Sequence, residues 1–292
     1  MLPIRRDIHF ALPAERIKDW HEQGPFITHF FNALSLLFPQ GELFFMDSVR
    51  HYRQRIDDPE LKKEIQGFIG QEAMHSREHV AYNDLLQAAG LPAHALDRRL
   101  KFILDLQKKH LPASFNLAVT IALEHYTAML AEILLSDPSR FGDSLKGYQQ
   151  MWYWHALEET EHKAVAFDVW NSVIKPGPKR YLLRTGTMLF TTLLFWLVVF
   201  DFHVRLLIAD RKSGGHLKGF WRMLKFLYGP KGVFPRMLVP WLHYFKPGFH
   251  PWDHDNRARL AGIDALVEDI EQVRRGYQPC ARASRSRTKP CN

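Results

Sequence analysis

The sequence predicts an all-α protein: a four-helix bundle followed by a helical extension. Apolar residues recur at helical spacing through the first 175 residues, and proline and glycine separate the periodic stretches. Two of these stretches contain the motif Glu-x-x-His, with both residues on the apolar face. The composition changes after Lys175-Pro176-Gly177-Pro178, which marks the end of the bundle.

The predicted helices begin and end at recognisable signals. Pro39-Gln40-Gly41 separates a helix that begins near Pro25 from a second one that starts at Glu42. Asp57-Asp58-Pro59 places acids and a proline at the start of a third helix, where both are favoured. A shorter amphipathic helix is predicted over residues 94–109, and the remaining bundle helices over residues 112–135 and 142–173.

The extension after the bundle has a different character. Residues 185–200 contain no charged side chain, but a membrane-spanning helix needs about 20 apolar residues. A membrane-embedded hairpin, a marginal span and a fully buried helix all remain open for this segment. Aromatic and basic residues alternate after residue 215, which suits contact with anionic lipid. The predicted parts are a lead-in (1–24), the bundle (25–175), the extension (176–276) and a disordered basic tail (277–292).

Two Glu-x-x-His motifs, Glu72/His75 and Glu159/His162, are the strongest chemical signal in the chain. Residues three apart on a helix project from one face, so the carboxylate and the imidazole can bind the same ion. Random placement of the glutamates and histidines would give about one such pair. The spacing alone is therefore weak evidence.

Two further glutamates strengthen the prediction. Glu42 precedes the first motif by one helical hairpin, and Glu124 precedes the second in the same way. Both lie within apolar helical stripes, where an unpaired carboxylate would cost several kcal/mol. One glutamate from each of two helices plus a Glu-x-x-His from each of two others is the ligand set of two-metal carboxylate bundles. The predicted metal ligands are Glu42, Glu72, His75, Glu124, Glu159 and His162.

Three more side chains are candidates for catalysis. His79 and His155 lie one helical turn from the predicted ligands. Each could be a hydrogen-bonded core histidine, an extra metal ligand or a proton shuttle. Glu158 stands four residues before His162 and is an alternative to Glu159 as a ligand, or a residue that supports a ligand.

Charge and cysteine content narrow the class of protein. A net charge of +8 favours an anionic partner: a membrane surface, nucleic acid or an acidic ligand. Nucleic acid is disfavoured, because no nucleic-acid-binding motif is present. The only cysteines, Cys280 and Cys291, lie in the tail, which excludes a disulfide framework and a thiolate metal site. The first residues contain no apolar signal segment, so we expect a cytoplasmic location. Peripheral binding to the inner face of the membrane and the formation of a homodimer are left open.

The segments around the predicted ligands resemble a known bacterial family. Gln71-Glu72-Ala73-Met74-His75, Ala122-Leu123-Glu124 and the stretch from Trp154 to Lys163 are similar to proteins described as predicted metal-dependent hydrolases. That resemblance implies a metal and suggests hydrolysis. The ligand pattern is also similar to ferritin-like di-iron oxidases and oxygenases, which implies oxidation chemistry.

These observations lead to one main hypothesis. The chain is expected to bind two metal ions, iron first, with manganese or zinc as alternatives. It would use them to activate dioxygen and oxidise a hydrophobic or aromatic small molecule, with electrons from an unidentified donor. The alternatives are a hydrolase with a two-metal-activated water and a metal-binding bundle without catalytic activity.

Overall fold

The computed structural model describes residues 2–210 and 216–276 of the chain. Within these residues every regular element is helical and no strand is present, which confirms the predicted all-α class. The predicted basic tail over 277–292, including Cys280 and Cys291, lies outside the described residues. The α-helices in chain order are α1 (Pro25–Ser35), α2 (Phe38–Tyr52), α3 (Pro59–Ala88), α4 (Ala93–His110), α5 (Ala113–Leu135), α6 (Lys146–His162), α7 (Val165–Val173), α8 (Pro178–Ala209), α9 (His216–Tyr228), α10 (Val233–His243) and α11 (Ile263–Gly276).

Four rods form the centre of the molecule: α2, α3, α5, and α6 continued by α7. α2 packs most extensively against α3, and α5 packs most extensively against α6. The bundle therefore consists of two pairs of helices that contact each other. Local sequence explains where α3 begins. The Asp58 side chain caps the helix by accepting a hydrogen bond from the Glu60 backbone amide, and Pro59 occupies the first turn. α8 lies across the outside and packs against α1 and α5.

Two predicted boundaries were wrong. Pro39 and Gly41 lie inside the first turn of α2, because proline is tolerated at the start of a helix. The single helix predicted over 142–173 is divided into α6 and α7 directly after His162. At this break the Lys163 amine donates hydrogen bonds to the backbone oxygen of His254 and the side-chain oxygen of Asn256, at 2.7 Å each. The interruption therefore ties the bundle to the C-terminal part of the chain.

The lead-in is mostly extended and packs directly against the bundle. It approaches α3 so closely that a side chain at Gly67 would collide with the backbone oxygen of Pro3. A side chain at Gly147 in α6 would likewise collide with the backbone oxygen of Ala11. The lead-in also contributes a buried indole, Trp20, which donates a hydrogen bond to the Tyr82 hydroxyl at 2.8 Å. This close packing fixes the position of residues 3–12 relative to the helices that carry the predicted ligands.

The uncharged segment over 185–200 forms the middle of α8. Among the described residues, α5 and α8 are long and apolar enough to cross a membrane by length and composition. Most of the apolar stretch of α5 is buried inside the bundle, but only 22% of that of α8 is. The outward-facing residues of α8 form an apolar stripe at helical spacing: Leu182, Leu189, Leu193, Leu197, Val204 and Ile208.

Candidate metal centre

The structure brings all six sequence-predicted ligands together inside the bundle. Each of the four rods contributes: Glu42 comes from α2 and Glu124 from α5. The two Glu-x-x-His pairs lie on α3 and α6, with both members of each pair on the inward face. None of the six side chains is more than 2% exposed.

The ligand atoms form two overlapping groups. One atom from each of Glu42, Glu72 and His75 lies within 4.8 Å of the other two. Glu72, Glu124 and His162 form a second group within the same limit. Glu72 belongs to both groups and therefore lies between them. Glu159 lies beside both imidazoles, with one oxygen 3.8 Å from His75 Nδ1 and the other 3.5 Å from His162 Nε2.

The donor atoms of this cluster have the properties that a cation site requires. Both carboxylate oxygens of Glu42, Glu72 and Glu124 are buried without a hydrogen-bond partner. Oε2 of Glu159, Nδ1 of His75 and Nε2 of His162 are also buried without a hydrogen-bond partner. Unpaired buried polar atoms are rare and costly in folded proteins, so their convergence calls for a positive partner. Carboxylate oxygens and imidazole nitrogens in this number fit two divalent ions.

Gln71 fixes the orientation of His162. His162 Nδ1 lies 2.9 Å from the side-chain oxygen of Gln71, which can only accept, so Nδ1 carries the proton. Nε2 then presents its lone pair to the cluster, 3.0 Å from an oxygen of Glu72. The edge of the ring packs against Phe68, at 5.0 Å between centroids. Gln71 thus supports His162 as polar neighbours support metal-bound histidines in general.

Glu158 lies behind His75 and faces away from the cluster. Its Oε2 accepts a hydrogen bond from His75 Nε2 at 3.0 Å, which leaves His75 Nδ1 free to face the carboxylates. Arg6 from the lead-in donates to both Glu158 (3.0 Å) and Glu161 (2.8 Å). Of the roles predicted for Glu158, this placement fits the support of a ligand, because the carboxylate orients His75 and lies on the far side of the ring from the other ligands.

His155 and His79 form a hydrogen-bonded chain that ends at Glu159. Asn83 Nδ2 donates to the backbone oxygen of Ser35, which leaves Asn83 Oδ1 to accept from the Ser35 hydroxyl. The Ser35 oxygen therefore accepts from His79 Nδ1 (2.8 Å), and His79 Nε2 accepts from His155 Nδ1 (2.9 Å). Burial lowers the pKa of His79, which keeps it neutral and supports this assignment.

The direction of this chain uses the Nδ1 proton of His155 and turns Nε2 towards Glu159, whose Oε1 lies 3.0 Å away. A proton or a metal ion between these two atoms makes the contact favourable. One ring nitrogen of His155 also lies within 4.8 Å of ligand atoms from His75 and Glu159. His155 thus has the geometry of a third imidazole donor to the cluster.

Burial dominates the electrostatics of the cluster. It raises the pKa of Glu42 and of Glu124 well above the ordinary value, and neighbouring carboxylates raise them further. Burial raises the pKa of Glu72 to about 7, although His162 opposes the shift. Burial alone would lower the pKa of His162, but Glu159 and Glu72 outweigh it and raise the value. Without metal, the cluster therefore holds several protons that a cation would displace.

Three supporting residues were missed by sequence reasoning. Arg6 lies more than 150 residues from the acids that it contacts, so no local spacing could have indicated it. Ser35 gave no signal either, because its partner His79 is on another helix. Gln71 directly precedes Glu72, and a buried amide beside a ligand was the one usable hint.

These features define an all-α protein with a buried carboxylate–imidazole cluster suited to two cations. Comparison with known families agrees with the metal: residues 4–255 match the family described as "predicted metal-dependent hydrolase", and the chain belongs to that family. The resemblance found in the sequence is thereby confirmed, as is the expected dependence on a metal. No curated protein and no solved structure matches the chain.

Proposed function

We propose that this chain is a two-metal enzyme that uses dioxygen to oxidise a hydrophobic small molecule. The observation that carries the proposal is the buried donor set, which combines four glutamates and two histidines on four helical rods. This arrangement is the one found in di-iron and di-manganese carboxylate proteins. Carboxylate oxygens with imidazole suit iron and manganese, so iron is the expected ion, with manganese and zinc as alternatives.

The groups of ligand atoms suggest how two ions would be shared. Glu72 and Glu159 would lie between the ions, Glu42 and His75 would hold the first, and Glu124 and His162 the second. We further propose that His155 is a seventh ligand, held in the required tautomer by His79 and Ser35. Bound iron would supply electrons for the reduction of dioxygen, and an unidentified external donor would restore them.

The protein residues around the cluster would keep water away from the reacting groups. Phe38 packs against His155 and His79, with ring centroids 4.3 and 4.5 Å away. Trp154 covers His75 at 4.7 Å between centroids. An apolar wall of this kind favours a hydrophobic substrate and confines an oxidising reaction to the bound molecule.

Hydrolysis is the second candidate, and the description of the family favours it. Two bound ions can activate a water molecule and stabilise the leaving oxygen of an ester or a phosphate. The same cluster would serve, with zinc as a suitable ion. The two candidates therefore differ in the metal and in the need for dioxygen, which can be measured directly.

One experiment separates the two reactions. The protein is purified without oxygen, loaded with Fe(II), analysed for metal per chain, and then exposed to dioxygen while its absorption spectrum is recorded. Two irons per chain with new oxygen-dependent bands support the oxidase. Two zinc ions with ester hydrolysis and no response to oxygen support the hydrolase. Metal binding with neither response supports a non-enzymatic metal bundle.

A matched pair of variants tests the site itself. Glu72→Gln removes a charge from the centre of the cluster, and at least one iron per chain should be lost. Glu78→Gln removes a charge from the same helix outside the cluster, where Glu78 accepts hydrogen bonds from Arg77 (2.8 Å) and His9 (3.1 Å). Loading of two irons should survive that change. Equal loading of both variants would remove Glu72 from the site.

We propose an anionic membrane surface as a partner, with the protein bound peripherally at the inner face. The outward stripe of α8 supports this proposal, as does the sequence of α9. On α9 the exposed apolar side chains Leu217 and Trp221 are bordered by the exposed basic residues Lys218, Arg222 and Lys225. An apolar face with a basic border is typical of helices that lie in the interface of anionic membranes.

A further inference from the structure

An inner cavity lies directly beside the candidate metal centre. It encloses about 570 Å³, mouth included, and its walls are largely apolar and aromatic. His155 and Glu159 form the part of the wall that belongs to the cluster. A molecule in this cavity would therefore be in reach of the proposed ions.

A second cavity adjoins the first. It forms a groove of about 830 Å³, mouth included, that is lined mainly by α2, α4, α5 and α8. Leu34, Phe38, Thr127 and Leu130 line both cavities, so the two cavities meet at these side chains. Together they would form an elongated apolar passage between the groove and the metal centre.

The outer end of this passage opens next to the exposed stripe of α8. Phe190 lines the groove and is 44% exposed, next to the outward-facing Leu189 and Leu193. The opening thus lies on the surface that we propose for membrane contact. An apolar chain could pass from a bilayer into the groove without crossing water, which would otherwise oppose its transfer.

A buried cation lies in the wall of the inner cavity. Arg140 is 8% exposed, and among the described residues no carboxylate lies within ion-pair distance of its guanidinium. Its Nε has no hydrogen-bond partner, while Nη2 donates to the backbone oxygen of Lys231. Asp137 pairs with Arg236 instead, at 3.7 Å. A buried charge without a counter-ion is costly, so Arg140 is suited to an anionic group of a ligand.

We propose that the passage binds an elongated amphiphile, an alkyl chain with an anionic head group such as a carboxylate. The chain would lie in the passage beside the metal centre, and the head group would bind Arg140. This inference rests on the proposed function, because it names the class of substrate for the same site. It also explains why one wall of an otherwise apolar cavity carries a guanidinium that contacts the backbone oxygen of Lys231 and the Phe226 ring but pairs with no carboxylate among the described residues.

The test uses dodecanoate and dodecanol as probes of the zinc-loaded full chain, with binding followed by calorimetry. Dodecanoate should bind one molecule per chain and more tightly than dodecanol, and acetate should not bind. Arg140→Gln should lower the affinity for dodecanoate by about 10- to 100-fold, as expected for the loss of a charged hydrogen bond. The affinity for dodecanol should stay within about threefold of the native value. Arg275→Gln is the matched control, because Arg275 is exposed, pairs with Glu271 and lines neither cavity. It should leave both affinities within about threefold.

Two further variants test the passage. Leu130→Trp and Thr127→Phe each fill the junction of the two cavities and should abolish binding of both probes, with two zinc ions retained. Having two such variants, each checked by circular dichroism, guards against a failure to fold. The proposal is overturned if dodecanoate does not bind, or if Arg140→Gln and Arg275→Gln behave alike. Titration of the metal-free protein with zinc and with iron separates this result from a failure of the proposed function, because it tests the metal centre without the amphiphile.

Discussion

The ligand side chains differ in how strongly they hold protons before a metal binds. Burial raises the pKa of Glu72 to about 7, and it raises the pKa of Glu42 and of Glu124 well above the ordinary value. An acid with a raised pKa in the folded protein keeps its proton to higher pH, so protons compete with the metal up to neutral pH. Each such proton must leave when an ion binds.

Metal affinity should therefore fall as the pH is lowered through about 7. We expect zinc to bind at least tenfold more weakly at about pH 6 than at about pH 8. Competition with a chelator of known pH dependence measures this. Glu72→Gln cannot release a proton, so its remaining affinity should depend less on pH. A zinc affinity that is the same at both pH values would contradict the assignment of these carboxylates as ligands.

His155 gives the second prediction at this scale. If His155 is a ligand, His155→Gln should weaken the binding of one of the two ions by about 10- to 100-fold, as for residues close to a metal in general. Ser35→Ala acts only through His79 and should have a smaller effect in the same direction. His125→Gln is the control, since His125 is buried elsewhere and contacts the backbone oxygen of Pro240. Unchanged binding of both ions by His155→Gln would limit His155 to hydrogen bonding.

The sequence indicated the ligands but not the roles of Arg6, Ser35 and Gln71 in orienting them, because ligand spacing is local and these contacts are not. Glu72 and His75 follow from helical spacing, which is a local property. The spacing of Glu158 from His162 leaves two interpretations open, a ligand or a residue that supports a ligand. Only packing distinguishes them, by placing Glu158 behind His75. The contacts of Arg6 depend on where the lead-in crosses the bundle, which no local pattern encodes.

At the scale of elements, the contact between the lead-in and α3 can be tested with two glycines. Gly67→Ala and Gly186→Ala gain the same helix propensity, up to about 1 kcal/mol. Open space surrounds Gly186, so Gly186→Ala should be neutral or slightly stabilising. Gly67→Ala would collide with Pro3 and should push the lead-in away from α3.

Displacing the lead-in should also loosen the hydrogen bonds of Arg6. We therefore expect Gly67→Ala to lower both the free energy of unfolding and the zinc affinity, in contrast to Gly186→Ala. Urea unfolding and zinc titration measure the two quantities. Equal behaviour of the two variants would show that the lead-in does not support the metal centre.

The outer stripe of α8 gives the second prediction at the scale of elements. Replacing Leu193 and Leu197 together by Asn removes two exposed apolar side chains, each of which would contribute on the order of 1 kcal/mol when inserted into lipid. Binding to vesicles that contain phosphatidylglycerol should fall at least fivefold in a sedimentation assay. Leu43→Asn changes an exposed leucine on α2 and should not affect it. No vesicle binding by the native protein would overturn the proposed membrane partner.

Sequence reasoning was more accurate for helix type than for helix ends. The long helix over 59–88 was predicted from its start signal and its apolar stripe, both of which are local. The break after His162 was missed, because it depends on contacts of Lys163 with residues more than 90 positions away. Whether residues 185–200 face lipid also depends on the neighbours of α8, which periodicity does not reveal.

Considered as a whole, the molecule has a helical bundle with the donor cluster inside, an apolar face on the outside of α8, and two adjoining cavities between them. This arrangement would place the chemistry away from water and admit substrate from the side of α8. The N-terminal lead-in and the C-terminal segment after α10 both contact the helices that carry the ligands. The metal centre therefore depends on chain segments far outside the two motifs.

The most direct measurement is anomalous X-ray diffraction from crystals of the iron-loaded protein at the iron absorption edge. The account predicts two peaks roughly 3.5–4 Å apart. Both peaks should lie within bonding distance of Glu72 and Glu159, and one of them within bonding distance of His155. A single peak, or peaks away from these side chains, would contradict the two-metal centre on which every proposed reaction depends.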